Sequence, residues 1–81
     1  MHTLNATLIA DVTRMEQLVF PEGRGHGVNR PHVRTATDWT DLRALTEKYD
    51  PVDFDPHLFG AMATARMART LLGDYDLGRL A

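Results

Sequence analysis

Eighty-one residues at 9.1 kDa, 43% hydrophobic, 25% charged and with a formal net charge of −2 describe one small globular domain spanning residues 1–81. The chain has no cysteine and no serine, which excludes a disulfide framework, a thiolate metal site and cysteine or serine nucleophiles. No stretch reaches the roughly 18 uninterrupted apolar residues of a membrane span, and the opening Met-His-Thr-Leu-Asn lacks the basic region of a secretory signal, so the expected setting is the cytoplasm without membrane contact.

Charge is unevenly spread. Residues 1–37 carry four arginines against three acids, whereas residues 38–81 carry five cations against eight acids. Lys48 is the sole lysine, so positive charge comes almost wholly as the planar guanidinium fork that suits carboxylates and phosphates.

In chain order, residues 3–12 alternate Leu4, Ala6, Leu8, Ala10 and Val12 with polar neighbours, broken only at Ile9. With their threonines they predict a half-buried strand. The same segment also places Leu4, Leu8, Val12, Met15 and Val19 at helical spacing, which leaves a helix as the alternative. The run Gln17–Phe20 stops at Pro21, and residues 21–27 hold three glycines in five positions, a loop that fits a hairpin tip. Residues 28–37 read as extended, because Pro31 biases Arg30 away from the helical region.

Two helices follow. Thr37 or Asp38 is placed to cap a helix to about Tyr49, with Trp39, Leu42, Leu45, Thr46 and Tyr49 on one stripe. Asp55 and Pro56 read as the N-cap and first turn of a helix running through Leu72 to a C-terminal Gly73. The expected fold is therefore α+β, a small N-terminal β-hairpin or meander followed by two packed helices, with a three-helix bundle as the alternative. Trp39, Leu42, Leu45, Tyr49, Leu58, Ala61, Ala65 and Leu72 are the expected core.

On the last helix Ala61, Ala65, Ala68 and Leu72 make the core face, Gly60, Met67 and Leu71 a second apolar face, and Phe59, Met62, Arg66 and Arg69 a third. A helix apolar on most sides is central or is covered by a partner. Aromatic, Met and Arg side chains are enriched at protein interfaces, so this quartet is the candidate partner-binding site. A second candidate is basic: on an extended 28–36 segment, Arg30, His32 and Arg34 point one way, with Arg24 on the neighbouring turn. That row suits phosphate contact by nucleic acid, or is a solvated sheet face beside the acidic 50–55 segment. No aromatic interleaves it and the net charge is negative, which tells against a base-stacking platform.

Metal and catalytic motifs are not found. The run from Asp53 lacks the glycine and the terminal glutamate of a calcium loop, no His-x-x-x-His pair exists, and Gly23, Gly25 and Gly27 lack dinucleotide-binding spacing. We therefore expect no metal, no cofactor and no enzyme. The expectation is a small accessory or inhibitory protein of the type phages encode, acting on a protein partner. The alternatives are nucleic-acid contact through residues 24–34, and a self-assembling subunit that closes as a homodimer.

Overall fold

The computed structural model describes residues 1–26 and 33–80, and shows three helices packed on one another: α1 (Ala6–Val19), α2 (Ala36–Lys48) and α3 (Phe59–Asp76). Short 3-10 turns occupy Arg24–His26 and Pro51–Asp53. Among the described residues there is no strand; an isolated parallel bridge between His2 and Phe54 is as near as the backbone comes. The α+β expectation is thus overturned, and the alternative of three packed helices fits.

The reason lies in residues 3–20. Asn5 adopts an extended conformation (φ −155°) and its side chain accepts the Leu8 N–H at 2.9 Å, a strong helix start that precedes the apolar stripe. From there the helical period prevails over the alternating one. Leu8, Met15, Leu18 and Val19 are buried, while Ile9, which already broke the alternation, faces solvent. The helical face buries four large side chains, each worth about 1.5–3 kcal/mol; an isolated hairpin is marginal in water. The run at residues 17–20 is the end of α1, with the Phe20 N–H donating to the Glu16 carbonyl at 2.8 Å. Gly23 then turns with φ +92°, a left-handed value that suits glycine. Of the expected extended segment, residues 33–35 lead directly into α2 and residues 27–32 lie outside the described residues.

The α2 start is a capping box two or three residues earlier than Thr37 or Asp38 suggests. Thr35 accepts the Asp38 N–H at 3.1 Å, and Asp38 accepts the Thr35 N–H at 3.0 Å. Asp55 does not cap α3: its carboxylate accepts the His57 N–H at 2.9 Å in a local turn, and α3 begins at Phe59. Nor does Gly73 end it. The chain leaves α3 through Gly78 (φ +69°), where Gly78 N–H donates to Tyr75 and Arg79 N–H to Asp74, at 3.0 and 2.8 Å. That is the paired arrangement of a Schellman ending.

The core joins all three helices. Leu42, Leu45, Tyr49, Ala65 and Leu72 are buried as expected, Trp39, Leu58 and Ala61 pack at its edge, and Phe54, Ala68 and Leu71 complete it with the α1 residues. Ala65 and Ala68 are small enough for α1 and α3 to approach closely, and this is the most extensive of the helix seams. The N-terminal arm closes one end: His2 N–H donates to Asp53 and Asp55 N–H to His2, while the His2 ring packs against Tyr49 and Phe54. Among the described residues no helix is long and apolar enough to cross a membrane.

Candidate partner-binding face

α3 presents its small-residue side to α1 and leaves the opposite side open. Phe59, at the first turn, is 72% exposed, and Arg66 lies two turns further along the same side. Met62 and Arg69 flank them towards α2. Met62 is half-buried against the core, and Arg69 donates to the Thr46 carbonyl at 3.0 Å. That carbonyl belongs to the last turn of α2, which has no helical N–H to satisfy it, so Arg69 completes the end of α2 with a cation where the dipole favours one. The four side chains therefore do share one side; Phe59, Arg66 and Arg69 are exposed, Met62 is half-buried, and Arg69 is tied to α2 by its hydrogen bond.

Most other cations are committed to holding helices together. Arg14 reaches Asp38 and Asp41 at 3.1 and 2.9 Å, tying α1 to α2. Arg43 forms a two-pronged pair with Asp76 at 2.6 and 3.2 Å, tying α2 to α3. Lys48 and the Tyr49 hydroxyl both donate to Asp11, at 2.7 and 2.5 Å. These hydrogen bonds hold the Asp11 carboxyl below the usual carboxylate range, and burial, with Asp11 beside it, pushes the Tyr49 hydroxyl up. Arg66 takes part in none of the ion pairs among the described residues.

The basic row is not assembled as the extended reading implied. Arg24 pairs with Glu16 at 2.6 Å and donates to the Gly60 carbonyl and the buried Thr64 hydroxyl, joining the turn after α1 to the start of α3. Arg34 is 9% exposed. Its Nε donates to the Leu18 carbonyl at 2.7 Å and its guanidinium lies 5.6 Å from the Trp39 ring. It therefore closes the end of α1 as Arg69 closes α2, and burial lowers its pKa from the ordinary arginine value. Arg30 and His32 lie outside the described residues. Arg24 takes Glu16, on α1, as its ion-pair partner and not the acidic 50–55 segment.

Two open grooves lie among the described residues. One of about 540 Å³ lies between the N-terminal arm and the end of α2, with His2, Asn5, Lys48 and Tyr49 on its walls. The other, about 310 Å³, runs between α2 and α3 over Leu72 and Gly73, with Glu47, Arg69 and Asp76 at its rim. Among the described residues no group of three or more His, Asp or Glu side chains is placed to hold a metal ion.

One surface feature escaped the sequence reading. Val52, in the 3-10 turn before α3, is 76% exposed and stands between Asp50 and Asp53. An apolar residue between aspartates, outside any periodic stripe, was the available signal. No protein-family model matches the chain, and neither a curated protein nor a solved structure proved similar to it.

Proposed function

We propose that this chain is a small non-enzymatic interaction protein, an accessory or inhibitory factor of the cytoplasm that acts by docking on another protein through the open side of α3. Phe59 supplies the apolar anchor and Arg66 the charged one, with Met62 and Arg69 as their flank. The observation that carries the reading is the 72% exposure of Phe59 on the helix side that also bears Arg66, which makes no ion pair among the described residues, in a chain whose other large aromatic side chains are mostly packed. Anchors of these types dominate interface energetics, and truncating one costs about 2 kcal/mol or more of binding.

The test is affinity capture of a protein partner by the full chain and by Phe59→Ala and Arg66→Glu, with helicity followed by circular dichroism. Loss of capture with unchanged helicity supports the face. Unchanged capture by both variants overturns it. Arg66→Glu is the cleaner charge reversal, since Arg69→Glu also removes the cation at the end of α2.

A further inference from the structure

We infer that the open side of α3 docks a second copy of this chain, and that the occupant's contribution is its own acidic turn at residues 50–55. The inference rests on the reading of α3 as a docking face and names the partner.

Two exposed patches of opposite sign stand on the same molecule. One is Phe59 with Arg66, apolar and basic. The other is exposed Val52 and Asp53 with half-buried Asp50, apolar and acidic. None of the ion pairs among the described residues involves Asp50, Asp53 or Arg66. Asp50 spends one oxygen on the Val52 N–H, which fixes the turn and leaves the carboxylate charge in place. Each patch thus offers an apolar residue and, on α3 two turns away, a charge that no ion pair among the described residues answers, and the two patches complement each other.

Their order along the chain sets the symmetry. The acidic turn precedes the N-terminal end of α3, Phe59 begins the helix, and Arg66 lies two turns beyond it. A two-fold axis near Phe59, with the two α3 helices antiparallel, brings the acidic end of each copy to the basic stretch of the other. The contact between acidic turn and Arg66 is then made twice, and the Phe59 side chains meet at the centre. Gly60 offers no obstacle to that approach, since a Cβ there meets nothing within 4 Å. A standard interface takes about 800 Å² from each partner, roughly a sixth of this chain's 4968 Å² surface. Closure on a two-fold axis also uses up both patches, so growth stops at the dimer.

The experiment is sedimentation of the full chain from about 10 µM to about 1 mM, where an interface of modest affinity assembles, at low and high salt. The expected result is a species of twice the 9.1 kDa chain mass that weakens with salt. Asp53→Arg and Arg66→Asp should each weaken it by about tenfold or more, and the two changes combined should restore most of the affinity by exchanging the signs. Phe59→Ala should abolish it with helicity unchanged. A monomer throughout, a dimer indifferent to both charge reversals, or open-ended growth overturns the inference. If the chain stays monomeric while Phe59→Ala and Arg66→Glu still lose a different protein partner, the second copy is rejected and the docking face stands. If neither association responds to these changes, both readings fall.

Discussion

The segment entering α2 and the open side of α3 each combine an arginine with an aromatic residue, Arg34 with Trp39 and Arg66 with Phe59. In the first, the guanidinium is buried, bonded to the end of α1 and laid over an indole that itself stacks on Tyr75 with ring centres 3.9 Å apart. In the second, the arginine and the aromatic are both exposed and no ion pair among the described residues holds the charge. Residue type does not separate the two. What separates them is whether another element supplies an acceptor: the Leu18 carbonyl, left over at the end of α1, reaches Arg34, and among the described residues no acceptor on another element reaches the Arg66 guanidinium. A charge with a buried acceptor becomes part of the fold, and a charge without one remains available to a partner.

The largest expected effect tests the packing on which the contrast depends. Leu71→Ala, on the buried side of α3, should cost about 2–5 kcal/mol, read as a fall in the urea midpoint. Arg34→Ala should follow at about 1.5–3 kcal/mol, because it leaves a carbonyl at the end of α1 without its charged donor. Thr35→Ala, which removes one half of the capping box, should cost about 1 kcal/mol in the same assay. Arg66→Ala should stay within about 0.5 kcal/mol of the parent, as a surface change away from structural contacts. Should Arg34→Ala be as silent as Arg66→Ala, the distinction between the two arginines collapses.

Acid titration sharpens the same contrast with the smallest signal. Asp11 and Asp38 both have pKa values lowered in the folded chain, Asp11 chiefly by the hydrogen bond from Lys48 and Asp38 chiefly by the Thr35 backbone N–H. A depressed carboxylate contributes stability above its unfolded value of about 3.9 and loses it as pH falls through the folded pKa. Unfolding midpoints should therefore hold from neutral pH to about 5 and decline below about 4. Asp11→Asn should flatten that decline, and an unchanged acid limb would show that the tie to Lys48 and Tyr49 carries no weight.

Much of the fold was legible locally. The stripe through Leu42, Leu45 and Tyr49 and the small-residue face through Ala65 and Leu72 follow from spacing alone, and both are buried. The ends of the helices were less so. Thr35 and Asp38 form a reciprocal cap that the threonines at 35 and 37 make ambiguous, and α3 passes through Gly73 because its downstream residues still pack and Gly78 provides the left-handed exit. Residues 3–19 were misread because two periods overlap there, and threonine with β-branched neighbours favours the extended one. The candidate quartet on α3 was recoverable from its spacing, whereas the internal engagement of Arg69 was not, since its acceptor is a backbone carbonyl on another helix.

Composition and periodicity were enough to set two of the three helices and the side of α3 that turns inward, because those properties depend on residues within a few turns of one another. Tertiary structure decided the rest. It chose helix over strand for residues 6–19 by offering α3 as a surface on which Leu8, Met15 and Leu18 could be buried. It also assigned the arginines, drawing Arg24, Arg34 and Arg69 onto oxygens of distant elements and leaving Arg66 in solvent, because the acceptors for a long side chain are fixed only once the helices have met.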